Sequence, residues 1–467
     1  MRTWKGMCLT LLTSMAFGIP SVVLAHEPHV CPEGFPDVPA LSGHVNQSDI
    51  DSGGLTFNDI VKAGKVLFHT MFNVCDGQGR PAATGDGQKR EPAVLNFLRT
   101  SGPDTYACAG CHTIPRTGGA GDVVANVFLG AGFVDPVIYS IAAKFSNERN
   151  TPSLFGMGPV EMLAVEMSAD LQAQAKEVGD GIHTLTTNGV NFGVTIAAGK
   201  VVASKGVDTD LLIKPITAGG ILPGIRQLTR IGYNLHHGMQ ADEMFADDAD
   251  FDKDGVPHEL TIGDITASTV YQAQLGTPGR LLPTTSEERR LIQQGEKLFK
   301  KANCTSCHIP VLHLKSPRYT DSRKGFSFDM TKDGEGPHLE ADGSGGAIVR
   351  VYSDLKRHNM CDDPGIPNPV RTYCNEQIAQ GRPDQDGRPG QEFFLTHRLW
   401  DVGNTAMYGH RGDLTTITDA ILAHGGEARV SRDAFVGMGS KQQASVVKFL
   451  KTLQILPAGS ERVVTEN

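Results

Sequence analysis

Two pentapeptides bring together residues that can do chemistry as a set: Cys108-Ala109-Gly110-Cys111-His112 and Cys304-Thr305-Ser306-Cys307-His308. In each, two thiols separated by two residues can add across the two vinyl groups of one haem, with the adjoining histidine held under the iron. Zinc binding is the competing use of a Cys-x-x-Cys pair. The histidine on both pairs and a helical pattern upstream of each favour haem. The spacing therefore predicts two covalently bound haems c, with His112 and His308 as proximal iron ligands. The second ring nitrogen of each should donate to a backbone carbonyl or a carboxylate.

The segments that must position these motifs repeat. Ala63-Gly64-Lys65-Val66-Leu67-Phe68 precedes the first, and Gln294-Gly295-Glu296-Lys297-Leu298-Phe299 precedes the second. Each reads as an amphipathic helix with a glycine and a Leu-Phe pair on one face. The glycine lets another helix cross closely, and the Leu-Phe pair packs toward the haem edge. In the first copy a Gly-rich insertion of roughly forty residues, containing Cys75, separates helix from cysteines. Alternation from Thr184 to Leu212 around Asn188-Gly189 and Gly199-Lys200 predicts a small β-hairpin. A helical pattern runs from Ile225 to Met239, and Leu275 to Pro283 reads as an inter-domain linker. A long Gly- and charge-rich loop follows from Ser316 to Ile348, and a helix from Ser440 to Leu453 closes the chain. The expected fold is mainly α: two cytochrome c-like haem domains with a small β-hairpin insertion and long loops. The boundaries are a signal peptide at 1–25, an N-terminal haem domain with insertions at 26–283, and a C-terminal haem domain at 284–467.

Length and composition fit this division, since 467 residues leave room for about two or three domains with proper cores. Arg2 and Lys5, an apolar run from Met7 to Leu24, and Val23-Leu24-Ala25 read as a secretory signal cleaved after Ala25. An uncleaved anchor helix is the alternative; no other stretch is long and apolar enough to span a bilayer. The expected location is periplasmic. A net charge of −9 argues against a nucleic-acid partner. It suits steering of a basic electron donor, or serves only to solubilise. Outside the cytoplasm the four other cysteines of the mature chain, Cys31, Cys75, Cys361 and Cys374, suggest disulfides. Cys361 and Cys374 bracket a short loop containing Pro and Asn, which favours that pair and leaves Cys31 with Cys75.

Further elements carry a resemblance. Arg149-Asn-Thr-Pro-Ser-Leu-Phe-Gly-Met-Gly158, His236-His-Gly-Met-Gln240, Val351-Tyr-Ser-Asp-Leu355, and Leu399-Trp400 through His424-Gly-Gly-Glu427 resemble the di-haem oxidoreductase family. That family is a relative of the bacterial di-haem cytochrome c peroxidases. The resemblance covers most of the mature chain and places Arg149 among the haem-binding residues. It sets Thr405-Ala-Met-Tyr-Gly-His410 on a stretch that ends in a family histidine, and His424 where the peroxidases have a distal methionine. The second haem is then bis-histidine, His308 and His424, with a lowered potential. A surface or capping role before Gly425-Gly426 is the other use of His424. The displaceable histidine of the peroxidases falls near Ala142, and no histidine lies between His112 and His183. The first haem is therefore expected to keep a vacant or water-filled face, with His236, His237 and His183 as the competing ligands.

Heterolysis of an O–O bond needs an open iron, a group that moves a proton between the oxygens, and two electrons. Glu161 and Glu166 are the candidate carboxylates; Glu161 is preferred because it closes the Gly156–Glu161 element, and a solvated helix face is the bland use of either. The Phe-Trp-Asp-Gly element of the peroxidases is missing. Trp400, the single tryptophan after the signal, is the candidate inter-haem bridge or else a packing residue. Leu395 stands where the family usually has an arginine and Arg398 where it has a proline. Calcium is a further expected metal. The resemblance points to Asn150, Thr405 and the Met407 carbonyl. Asp250-x-Asp252-x-Asp254-Gly255 is similar to the front half of an EF-hand loop, or is an acidic surface turn. Thr261 stands at position twelve, and Glu259 is the substitute ligand at hand.

Three functions follow. The favoured one reduces hydrogen peroxide at the first haem with electrons relayed through the second from a small periplasmic cytochrome c or cupredoxin. The others are oxidation of an organic or protein substrate on the same scaffold, and electron transfer or redox sensing with both irons six-coordinate.

Overall fold

The computed structural model describes residues 31, 37–79, 105–125, 149–245, 250, 256–323, 325–374 and 392–466. The segment read as a signal peptide, and Ala142, Asp252 and Asp254, lie outside the described residues. In chain order the helices are α1 (Gln47–Asp51), α2 (Phe57–His69), α3 (Met157–Glu177), α4 (Ile225–Gly232), α5 (Ile262–Ala273), α6 (Ser286–Lys301), α7 (Ile417–Leu422), α8 (Arg429–Val436) and α9 (Ser440–Leu450).

Local chemistry starts the helices that matter most. Thr56 and Asp59 form a capping box on α2, and Thr261 and Asp264 form one on α5. Thr285 caps α6, whose first turn carries Glu287 and Glu288 and whose last carries Lys300 and Lys301, each charge opposing the dipole end beside it. Helix α2 buries Ile60, Gly64, Leu67 and Phe68, and α6 buries Ile292, Gly295, Leu298 and Phe299. These are the faces that the repeat predicts. Gly64 lies against Ala267 and Tyr271 of α5, and Gly295 against Ser445 and Phe449 of α9, so closely that a Cβ would strike the facing carbonyl. Each haem motif thus follows a helix crossed at its glycine by a later helix.

The rest is a set of small sheets. The predicted hairpin is a three-stranded antiparallel meander, Gly181–Thr187, Val190–Ala197 and Lys200–Lys205. Its turns have positive φ at Asn188-Gly189 and at Ala198-Gly199, as tight hairpin turns require. Val190, Phe192, Val194 and Ile196 form its buried face. The expected loop from Ser316 to Ile348 is built from short strands: Arg318–Thr320 pairs with Ser327–Asp329, and Glu340–Ala341 and Leu312–Leu314 flank Ala347–Val349. The expected linker also differs. Gly279–Leu282 is the central strand between Leu453–Gln454 and Val464–Glu466, and Leu275 just before it is buried. The polar and turn residues that suggest a linker there are held by backbone pairing that sequence periodicity does not reveal.

Packing crosses the halfway point of the chain. The larger core joins Leu67 and Phe68 of α2, Leu163 and Met167 of α3 and Val270 of α5 to Leu312, Tyr319, Val349, Val351, Leu355 and Trp400. A smaller core gathers Ile292, Leu298 and Phe299 of α6 with Phe435, Val446 and Phe449. Disulfides join Cys31 to Cys75 and Cys361 to Cys374, the pairing read from the sequence. Among the described residues no helix is long and apolar enough to cross a membrane.

Candidate haem sites

Each Cys-x-x-Cys-His motif winds into a single tight turn. His112 N–H donates to Cys108 O at 3.1 Å, and His308 N–H donates to Cys304 O at 3.0 Å. Phe68 of α2 sits 6.1 Å from the His112 ring, and Phe299 of α6 sits 6.3 Å from the His308 ring. Tyr271 and Phe449 back them from the crossing helices, at 5.2 and 5.5 Å. The two sites are built alike, down to the second ring nitrogen. His112 Nδ1 donates to Gly119 O at 3.0 Å and His308 Nδ1 to Tyr352 O at 3.1 Å. Burial lowers both histidines to about 4, so each is a neutral imidazole with its lone pair on Nε2. The four motif cysteines stay outside the disulfides, and burial raises the Cys108 thiol to about 12 and the Cys304 thiol to about 11.

What faces the two histidines differs. His424, just beyond α7, donates from Nδ1 to Ala420 O at 2.7 Å, which leaves its Nε2 for a metal. Its ring lies 6.3 Å from the His308 ring, centroid to centroid. Two metal–nitrogen bonds of about 2 Å and two ring radii add up to roughly 6 Å, so the pair fits an iron held between them. Three histidines are the sequence candidates to face His112. His183 is on an exposed strand with Nε2 on Gly179 O at 2.8 Å. His237 is buried, with Nδ1 on Thr105 O at 2.9 Å and Nε2 3.2 Å from Cys108 Sγ. His236 lies beside the motif, its carbonyl accepting from Thr105 N–H at 3.3 Å.

Glu161 and Glu166, five residues apart on α3 and so on different faces, do different things. Glu161 is buried; its Oε2 accepts from Ile225 N–H at 3.1 Å and Tyr319 O–H at 3.3 Å, so it caps the helix leading to His236 and His237. Burial raises its pKa to about 7. Glu166 is fastened instead to a surface loop, accepting from Lys315 N–H at 2.7 Å and Ser316 N–H at 3.1 Å. Trp400 is buried against Gly156, and its Nε1 meets no hydrogen-bond partner among the described residues. Its neighbours lie near both motifs: His397 is among the groups that lower His308, and Arg398 donates to Ser153 O at 2.9 Å, next to Pro152, which acts on His112.

Arg149 lies on the strand Arg149–Thr151, paired with Gly121–Ala125. Next to it Asn150 N–H donates to His410 O and Asn150 Nδ2 to Met407 O, both at 2.8 Å. Asn150 Oδ1 is buried without a partner among the described residues, an oxygen suited to calcium. Thr405 Oγ1 donates to Asp401 O at 2.9 Å. In the EF-hand-like segment only Asp250 of the three aspartates is described, and it is half-buried. Thr261 is spent on capping α5, and Glu259 is wholly buried and holds Gln240.

Sequence reasoning passes over one cluster beside the second site. Cys307, Asp354 and His358 bring their ligand atoms within 4.8 Å of one another. His358 Nε2 meets Asp354 Oδ2 at 2.9 Å, and its Nδ1 meets Glu427 Oε2 at 3.0 Å. Asp354 and His358 stand four residues apart, a visible hint; Glu427 is far along the chain and gives none.

Residues 231–453 match the family model described as "Di-haem oxidoreductase, putative peroxidase". That segment belongs to the di-haem oxidoreductase family. It contains the second haem motif, His236, Trp400 and His424, and starts beyond the first motif. No curated protein matches the chain. Among solved structures, Kuenenia stuttgartiensis hydrazine synthase pressurised with xenon is similar at 12% identity and a TM-score of 0.32, over 97% of this chain and 100% of that one. A MauG-like protein associated with microbial copper homeostasis is similar at 18% identity and a TM-score of 0.26, over 50% of this chain and 68% of that one. The match supports an oxidoreductase over residues 231–453.

Proposed function

We propose that this is an exported di-haem c-type oxidoreductase that reduces hydrogen peroxide at the haem held by Cys108, Cys111 and His112. Electrons would come from a small periplasmic cytochrome c or cupredoxin through the haem held by Cys304, Cys307, His308 and His424. The observation that carries this reading is the asymmetry of two sites built alike: His308 faces His424 at 6.3 Å, whereas His112 has no counterpart of His424 in sequence. When bound, haem supplies one-electron redox chemistry, and at an iron with an accessible face it supplies peroxide reduction.

The chain's own residues do the rest. Gly119 O and Tyr352 O accept from Nδ1 of His112 and His308 and so fix their tautomers, leaving on each Nε2 the lone pair that would hold iron. Glu161, protonated up to about pH 7 by its burial, is the group that holds and moves a proton on the α3 side. Trp400, packed on Gly156 between the His397 and Pro152 contacts, is the aromatic bridge from one motif to the other. The orphaned Asn150 Oδ1 supports calcium at Asn150, Thr405 and Met407.

The proposal is tested by following peroxide consumption with a reduced small c-type cytochrome as donor. Turnover without a lag in the fully oxidised protein is the expected result, and Glu161→Gln should slow it by roughly 10²-fold. A lag removed by pre-reducing one haem would contradict it. One observation favours a second reading: His236 O accepts from Thr105 N–H at 3.3 Å, three residues before Cys108, which sets His236 beside the first motif. With His236 on the first iron both irons would be six-coordinate and the protein an electron carrier, in which case His236→Ala should create peroxide turnover where the native protein has little.

A further inference from the structure

His358 sits where the two sides of the second site come closest. On one side its Nε2–H donates to Asp354 Oδ2 at 2.9 Å, and its ring reaches Cys307. On the other its Nδ1–H donates to Glu427 Oε2 at 3.0 Å, three residues past His424. Two carboxylates can be satisfied at once only by an imidazole carrying a proton on each nitrogen, so the ring acts as a charged strap between them. The side chains of His358 and Asp354 are largely shielded from water, at 12% and 3% exposure, which strengthens the pairing.

The strap has a frame around it. Glu427 Oε1 also accepts from Asn359 N–H at 3.2 Å, and Gly426 N–H donates to Asp362 Oδ1 at 2.7 Å. Asp362 in turn pairs with Arg429 and accepts from Val370 N–H at 2.6 Å. Gly425 and Gly426 press so close to Met360 and Asn359 that side chains there would meet carbonyl oxygens. The Cys361–Cys374 disulfide closes the far end of this arm. The loop that follows His424 is therefore fastened at several atoms to residues 354–362, and the same residues abut Cys307.

We propose that His358 is a positioning residue for the distal histidine: by bridging Asp354 and Glu427 it holds the loop after His424 against the arm beside Cys307, and so keeps His424 on the iron. The inference rests on the bis-histidine reading of the second haem. It is not a metal site of its own, because Cys307 is committed to the haem motif.

The test uses the full-length holoprotein and electron paramagnetic resonance. His358→Phe keeps the ring's bulk and removes both bonds; Glu427→Ala releases the loop and leaves the Asp354 contact in place. Sodium cyanide is added and loss of the low-spin bis-imidazole signal is timed. Both variants should lose that signal about tenfold faster than the native protein, with a larger high-spin fraction at rest. Where His358→Phe yields no folded holoprotein, Glu427→Ala decides alone. Native rates and spin states in a folded variant overturn the proposal, and a lowered melting temperature without faster displacement would show a merely structural role, which also overturns it. His424→Ala separates the two layers: if it leaves the low-spin signal intact, the bis-histidine reading itself has failed.

Discussion

At the scale of single residues, His112 and His308 are legible as proposed iron ligands because covalent haem attachment would require the Cys-x-x-Cys-His spacing, and the sequence states that spacing twice. His424 is legible only by its place in the family resemblance; its 6.3 Å approach to His308 is a fact of the fold. Glu161 shows what a sequence withholds. Its position on α3 is readable, but the partners that decide its chemistry, Ile225 N–H and Tyr319 O–H, come from segments 64 and 158 residues away. Its pKa of about 7 makes a prediction about stability. An unfolded glutamate titrates near 4.3, so between about pH 4.3 and 7 the native state binds the extra proton. The stability tied to that proton is fully present below about pH 4.3 and is lost as the pH rises to about 7. Glu161→Gln should flatten this fall in melting temperature across the window, and an unchanged slope would show that Glu161 titrates normally.

At the scale of elements, the two glycine-bearing helices are read correctly because a Gly followed by Leu-Phe on one face has few other uses. The structure supplies the partners: α5 crosses α2 at Gly64, and α9 crosses α6 at Gly295. Gly64→Ala and Gly295→Ala should each cost about 1–3 kcal/mol or more, since the new methyl group must push two backbones apart. Thermal unfolding of the holoprotein checks this, and a change within error at either position would mean that the helices part without strain. Elements made by pairing between distant segments are the ones that sequence hides. Gly279–Leu282 carries turn-forming neighbours and reads as a linker, yet it becomes a central strand because Leu453–Gln454 and Val464–Glu466 flank it. The short strands between residues 312 and 349 escape for the same reason, being too brief to show a period.

At the scale of the whole molecule, the larger core decides how the halves relate. Leu312, Tyr319, Val349 and Trp400 of the second half are buried with Leu67, Leu163 and Val270 of the first. A fragment of residues 284–467 should therefore fail to give a cooperative unfolding transition even with haem attached, because those side chains would face water. A sharp transition in the isolated fragment would establish the second half as an independent unit. Trp400 lies in this core, and Arg398 beside it donates to Ser153 O of the first half at 2.9 Å. The asymmetry between the two sites is measured most directly by electron paramagnetic resonance of the resting ferric protein, compared with His424→Ala. The account predicts a high-spin signal from the haem at His112 beside a low-spin bis-imidazole signal that the substitution removes. Two low-spin signals in the native protein, or a bis-imidazole signal that survives the loss of His424, would contradict it.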